Sequence, residues 1–199
     1  QISAFNPASG CSAQSSEASG VGEMAFPGNV VVSGPNVWFP EGTGVVKRFT
    51  YASGFTALSD VTGLAAGTIY GLSLFGPNLA GGGGAAGTGR VFVRQGDGSG
   101  STTGYMASHV SGVSVGRMGN QDVLFAVTRE SSGQGLLRRF DASGTEQDVV
   151  NWPALNFTFP LTVPGGTTPV LGAGGLVYAV GNNGAVAAAD QATLDLRWT

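Results

Sequence analysis

From Met24 onward, short apolar runs rich in β-branched and aromatic residues alternate with glycine-bearing turns. This punctuation dictates small antiparallel sheets. Runs of this length between Gly, Pro, Asn and Ser clusters suit strands, and none carries the extended 3.6-residue spacing of a convincing helix. The 35 glycines show no three-residue period, and Val-rich runs with 11 Phe, 4 Tyr and 3 Trp supply a core, so neither a collagen nor a disordered reading fits.

The pattern predicts strands at 30–33, 37–40, 45–51, 55–58, 68–75, 90–94, 105–110, 122–129, 136–140, 168–171, 176–180 and 185–189, with 113–115 pairing inside a sheet and 194–198 following the last turn. Asn183-Gly184 suits a type I′ hairpin, whose two central residues both need positive φ. Gly76–Gly89, with its four consecutive glycines at 81–84, reads as a long, loose insertion at a sheet edge. Residues 1–22, small and polar, read as a flexible leader, and 23–199 as one repeat region.

Four segments share a rhythm of strand, turn, strand, turn, strand, with leading aromatics at Trp38, Phe92, Phe125 and Tyr178. Their spacings, 54, 33 and 53 residues, average near the ~40–50 residues of a propeller blade. The fold class expected is all-β: about four β-propeller blades of antiparallel strands. Four is few for a closed ring, so the units are expected to belong to a larger propeller completed by another chain or by further blades. Small residues such as Ala126, Ala179 and Gly181 are expected near a crowded inner channel, and Phe125 and Tyr178 between blades.

The stretch from Gly175 to Trp198 resembles the repeat of PQQ-like (quinoprotein-type) propellers. Val177, Tyr178, Ala179, Asn183, Gly184, Val186, Ala188, Asp190, Thr193 and Trp198 match that pattern. Ala187 stands in place of its second aromatic, Asn183 of its usual Asp, and Leu194 of the Gly after Thr. The third unit matches through Phe125, Phe140, Asp141 and Gly144, the first two in rhythm only. The resemblance implies either a quinone-holding dehydrogenase or a non-enzymatic assembly or scaffold protein. The enzymes are expected to offer adjacent cysteines, a calcium-binding acidic group and a base near the axis. Cys11 is the single cysteine, and Asp and Glu are dispersed, so the resemblance implies the non-enzymatic kind.

Charge narrows the partners. Lys47 is the only lysine, eight arginines are scattered and the formal net charge is −3, so no basic stripe could track a series of phosphates. No run of 18 apolar residues would span a bilayer as a helix. The Gly/Ser/Thr-rich, lysine-poor composition resembles that of secreted bacterial proteins, which points to a secreted, periplasmic or cell-surface location. Asn156-Phe157-Thr158 matches the glycosylation pattern, and Cys11 is either free or paired outside the chain.

Each candidate site has a plainer explanation. His109, the only histidine, could act as a base but reads as a surface or packing residue. Asp97–Ser101 offers alternating oxygens to calcium but lacks the closing glutamate of a full calcium loop. Gly81–Gly89 looks superficially like a phosphate loop, yet Arg90 and a strand follow instead of Lys-Ser/Thr and a helix. Trp38 and Trp152 could line a binding surface, Trp198 reads as interblade packing, and Arg138-Arg139 as a solvated pair. No catalytic, cofactor or metal residue is assigned, and no cofactor is expected. The function expected is a non-catalytic module for structural or protein–protein interaction, its partner a protein or additional blades. The alternatives are a fragment of a quinoprotein-like or hydrolytic enzyme and a carbohydrate-binding β-sandwich.

Overall fold

The computed structural model describes residues 2–6, 12–17, 29–41, 44–51, 55–85, 87–129, 135–151, 168–180 and 186–198. A two-stranded hairpin comes first, β1 (Ile2–Asn6) with β2 (Ser12–Glu17), within the segment read as a leader. Four four-stranded sheets follow. Sheet 1 holds β3 (Val31–Ser33), β4 (Asn36–Glu41), β5 (Val45–Tyr51) and β6 (Phe55–Ala57). Sheet 2 holds β7 (Ile69–Phe75), β8 (Asn78–Gly83), β9 (Gly89–Gln95) and β10 (Thr103–Ala107). Sheet 3 holds β11 (His109–Met118), β12 (Gln121–Arg129), β13 (Gly135–Asp141) and β14 (Glu146–Asn151). Sheet 4 holds β15 (Val170–Gly172), β16 (Leu176–Val180), β17 (Val186–Asp190) and β18 (Leu196–Trp198).

Every sheet is an antiparallel meander in chain order. The first strands of successive sheets are neighbours: β3 lies on β7, β7 on β11, and β11 on β15. The sheets therefore radiate from a line of inner strands, as propeller blades do, and do not stack as the two layers of a sandwich.

Blades bury apolar side chains on both faces, and the core is divided accordingly. Trp38 and Val46 meet Ile69, Leu72, Leu79 and Phe92 between blades 1 and 2. Ala80, Val91 and Val93 meet Val113, Leu124, Ala126 and Phe140 between blades 2 and 3. Phe125, Val127 and Leu137 meet Val177, Ala179, Ala187 and Ala189 between blades 3 and 4. Each fully buried Phe or Leu here contributes about 1.5–3 kcal/mol. Phe125 fills interblade space as expected, whereas Tyr178 points to the other face of blade 4. Ala126 and Ala179 lie on second strands, in the interblade core rather than on the innermost strands; Gly181 lies outside the described residues.

The largest correction concerns the glycine run. Gly81–Gly83 are buried in β8, a central strand of blade 2, and do not form an edge insertion. A Cβ on Gly82 would overlap the Ser111 carbonyl oxygen of blade 3, and one on Gly81 the ring of Phe92. Glycine is selected there by close approach rather than by looseness. Phe92 accordingly sits on the third strand of its blade, not the leading one. Counted by second strands, the first three blades begin at 36, 78 and 121, in even steps of 42 and 43 residues. The strand expected across 105–110 is also two: β10 ends at Ala107 and β11 of the next blade starts at His109.

Polar groups are settled within this packing. β11 is bulged between Val110 and Val113, and the buried Ser111 hydroxyl accepts the Val127 amide at 2.9 Å while donating to the Gly112 carbonyl at 2.7 Å. Along the inner strands, Ser73 donates to the Val113 carbonyl at 2.7 Å and Ser114 to the Pro169 carbonyl, linking three blades.

Candidate functional site

In such a meander the turns joining first to second and third to fourth strands lie at one end of every blade. The second of these turns carries an aspartate in blades 2, 3 and 4. Asp97 Oδ1 accepts the Ser99 amide at 2.8 Å. Asp141 Oδ1 accepts the amides of Ser143 at 2.8 Å and Thr145 at 3.0 Å and the Ser143 hydroxyl at 2.6 Å, while Oδ2 takes Gln147 Nε2 at 3.2 Å. Asp190 Oδ1 accepts the amides of Ala192 at 2.8 Å and Thr193 at 3.2 Å. Each carboxylate closes its own turn as a local backbone mimic.

The same turns latch the blades together. Arg48 of β5 donates to the Asp97 carbonyl of blade 2. Thr103 of β10 donates to the Ser143 carbonyl of blade 3 at 2.6 Å. Arg139 of β13 donates to the carbonyls of Gln191, at 3.1 Å, and Ala192 of blade 4. Thus the outer halves of blades 1, 2 and 3 each grip the aspartate turn of the next.

Arg138 and Arg139, expected to be solvated, are both engaged. Alternation sends them to opposite faces, but both faces of blade 3 are covered by neighbours. Arg138 is buried, bonds Thr128 Oγ1 at 2.8 Å, pairs with Glu146, and lies 4.8 Å above the Tyr105 ring of blade 2. Arg139 reaches blade 4.

Concavities open at this end between the described residues. A cleft of about 700 Å³ on blade 3 is lined by Asn120, Gln121, Asp122, Arg139, Ser143 and Gln147 among others. A smaller one, about 260 Å³, lies between blades 1 and 2 around Asn36, Trp38, Arg48 and Asp97. Lining the larger cleft, the amides and carboxylates of Asn120, Gln121, Asp122 and Gln147 offer both donors and acceptors, Gln147 following the turn that Asp141 fixes. That chemistry suits the polar surface of a macromolecule.

The other sequence candidates settle as follows. Trp38 is buried, its Nε1 donating to the Gly96 carbonyl at 2.7 Å, so it packs and does not present a flat binding face. Trp198 is 48% exposed and rests on Tyr178 of its own blade, ring centroids 5.9 Å apart, so the interblade packing expected of it is not made among the described residues. His109 Nδ1 lies 3.1 Å from Ser108 Oγ. Burial, helped by the positive charge of Arg129, pushes its pKa down, and its cross-strand neighbour is that arginine rather than the acid a triad would place there. In the Asp97 loop, the Asp97 carbonyl accepts Arg48, and Ser99 Oγ donates to Gln95 Oε1 at 2.6 Å. Among the described residues no three His, Cys, Asp or Glu gather in a metal-holding group. Cys11, Trp152, Asn156–Thr158 and the Asn183-Gly184 turn lie outside the described residues.

Both the first turns and the arginine latches have sequence signals. Gly34-Pro35-Asn36 and Gly76-Pro77-Asn78 form the same first turn in blades 1 and 2, and Gly119-Asn120-Gln121 its counterpart in blade 3. Gly34, Gly76 and Gly119 all take left-handed φ, 55°, 52° and 59°. Lys47-Arg48-Phe49 before Ala52-Ser53-Gly54 is likewise echoed by Arg138-Arg139-Phe140 before Ala142-Ser143-Gly144.

No family model and no curated protein matches the chain. Solved structures do. The computationally designed Ika8 protein superposes with TM-score 0.58 at 13% identity, over 88% of this chain and 48% of its own. The designed Ika4 protein gives TM-score 0.56 at 13% identity, over 88% and 95%. BamB from Moraxella catarrhalis gives TM-score 0.56 at 17% identity, over 94% and 54%. The fold is a β-propeller type, built of four blades. The chain spans about half the length of Ika8 and of BamB. Among the described residues no helix is long and apolar enough to cross a membrane.

Proposed function

We propose that this propeller is an exported, non-catalytic module of the PQQ-like type that recognises a protein partner through the turn-bearing end of its blades. The observation that carries this reading is the blade 3 cleft. Asn120, Gln121, Asp122, Ser143 and Gln147 border it on two turns of one blade. Rigid turns presenting mixed donors and acceptors match the polar rim of a protein interface. Propellers host many activities, so the role rests on this surface rather than on the fold.

The test is site-specific photo-crosslinking, with the probe at Asn120 and a control at Ala85, an exposed residue between β8 and β9 at the opposite end. The expected result is a defined protein adduct from Asn120 alone. Its purified partner then binds the wild-type chain and loses at least tenfold in affinity against Asp122→Lys. Equal adducts from both ends overturn the assignment of the surface. Saturable calorimetric binding of calcium with pyrroloquinoline quinone overturns the non-catalytic reading.

A further inference from the structure

The junction of blades 1 and 2 holds a charged donor whose bonding is incomplete. On the face that blade 1 turns to blade 2, Trp38 pairs with Arg48 across β4 and β5, and Asn36 with Ser33 across β3 and β4. Trp38 joins the core that Leu72, Leu79 and Phe92 of blade 2 complete. Beside it lies the cleft of about 260 Å³, lined by Asn36, Trp38 and Arg48 from blade 1 and by Leu74 and Asp97 from blade 2, among others. Trp38 Nε1 is already bonded to the Gly96 carbonyl at 2.7 Å, so the indole serves the cleft as an apolar wall.

Arg48 Nη1 donates to the Asp97 carbonyl. Its Nε is buried and bonds no acceptor among the described residues. Arg90 Nε shares that condition, but Arg90 does not border this cleft. A buried donor without an acceptor is costly, and more so when it carries charge. The Nε edge of a guanidinium also has a definite shape. Nε–H and one Nη2–H point the same way, at the spacing of the two oxygens of a carboxylate. The cleft is smaller than the ~300–1,000 Å³ that drug-sized ligands occupy, so it suits a side chain or a chain end. Asp97 limits the charge it can take. Bonds from Ser99, helped by the Arg48 charge, hold its pKa down, so it is ionised at neutral pH. Its Oδ1 accepts the Ser99 amide of its own turn, and the residue is exposed, so water screens it. One arginine against a screened aspartate favours a ligand with a single negative charge over phosphate.

We infer that the cleft between blades 1 and 2 is a carboxylate-binding site, with the Nε edge of Arg48 as its anchor. The carboxylate comes from an acidic side chain, a chain terminus or a free small acid, all of which present the same two oxygens. The site stands apart from the blade 3 cleft. An unmoved Arg48 leaves the Asn120 adduct untouched, and a missing adduct leaves the Arg48 signal untouched.

Nitrogen-15 NMR tests it through two reporters, the Arg48 Nε–H and Trp38 Nε1–H signals. Sodium acetate is titrated to tens of millimolar against equal sodium chloride. Two blocked tripeptides follow, Ac-Gly-Gly-Gly-OH with a terminal carboxylate and Ac-Gly-Asp-Gly-NH2 with a side-chain one. Saturable movement of both signals is expected with carboxylates and not with chloride or with Ac-Gly-Gly-Gly-NH2. The tighter tripeptide then names the source, and acetate equal to both names a free acid. Arg48→Lys keeps a donor for the Asp97 carbonyl but loses the fork, and should weaken binding at least tenfold by the Trp38 signal. Asp97→Asn keeps the turn and removes the repulsion, and should bind more tightly. Signals that move no further in acetate than in chloride overturn the inference. So do phosphate binding tighter than acetate, undiminished binding to Arg48→Lys, or weaker binding to Asp97→Asn, which would mark the cleft as a cation site.

Discussion

A Cβ on Gly81 would overlap Cζ of Phe92, so glycine and ring share one volume between blades 1 and 2. The neighbouring Gly82 faces the other way, against the backbone carbonyl of Ser111. The two glycines thus set how closely blade 2 approaches what lies on each side. They differ in what must yield most. Phe92 can move the far end of its ring, with the Gly71 carbonyl oxygen a milder obstacle at 2.9 Å; the Ser111 carbonyl, met far more closely, belongs to a strand held by its own ladder.

Gly81→Ala is therefore expected to destabilise the chain by about 1–3 kcal/mol, an ordinary overpacking cost, and Gly82→Ala by more. Urea denaturation gives both values. Pairing Gly81→Ala with Phe92→Leu should recover part of the loss, because the shorter side chain vacates the contested space. A double variant worse than the sum of its parts would refute the shared-volume account.

The same region shows what a linear reading can and cannot supply. Val45–Tyr51 and Leu176–Val180 lie within their predicted bounds because β-branched and aromatic residues report a half-buried pleated surface. β8 escapes that logic. Its Leu79-Ala80-Gly81-Gly82-Gly83 has poor strand propensity and becomes a strand because sheets on either side leave no room for side chains. That information is non-local. Arg138-Arg139 fails similarly: period-two alternation correctly separates the two residues, but nothing nearby in sequence says that both faces are covered. The repeated Gly-Pro-Asn turns are local and legible, whereas the aromatics are out of phase in blade 2, where Phe92 lies one strand later than Trp38 and Phe125 do in their blades.

Ser111 shows how a bulge is made tolerable. The extra residue in β11 removes a ladder acceptor opposite Val127, and the Ser111 hydroxyl replaces it. Ser111→Ala leaves a buried amide unsatisfied, with an expected loss of about 1–3 kcal/mol. Hydrogen exchange at Val127 should accelerate more than at Leu137 on the adjoining strand. Equal acceleration at both would mean general loosening.

Acid should weaken the fold in two stages. Burial by itself pushes the Asp141 carboxyl up, but the bonds from Ser143, Thr145 and Gln147 outweigh it and hold it below its ordinary value. The Arg197 bond and the Ala192 and Thr193 amides hold Asp190 down as well. Such groups stabilise fully above the unfolded value of about 3.9, and that contribution is lost as pH falls through the folded value. His109 is also depressed, so its contribution is full above about 6.5 and declines below it as the unfolded imidazole takes up its proton first. Urea midpoints should plateau near neutrality, decline gently below about pH 6.5 and fall more steeply below about pH 4. His109→Gln should remove the gentle step and Asp141→Asn part of the steep one. A profile unchanged in both variants would contradict these assignments.

Leu194 occupies the position where the repeat it resembles usually has glycine, and its backbone explains that preference. Its φ is 57°, the left-handed region, and it is the only described non-glycine residue found there. Its amide donates to the Asp190 carbonyl at 2.8 Å, closing the turn whose carbonyls receive Arg139. The strain is tolerated because the side chain is buried between blades 3 and 4, beside Phe125, Val177 and Ala189. Left-handed geometry costs about 1–2 kcal/mol in a residue with a Cβ. Deleting a buried leucine side chain costs about 2–5 kcal/mol. Leu194→Gly should therefore relax the backbone yet still lower stability, by about 1–3 kcal/mol, with the Arg139 latch intact by hydrogen exchange at the 190–195 turn. A stabilised variant would mean that strain, not burial, dominates at this position.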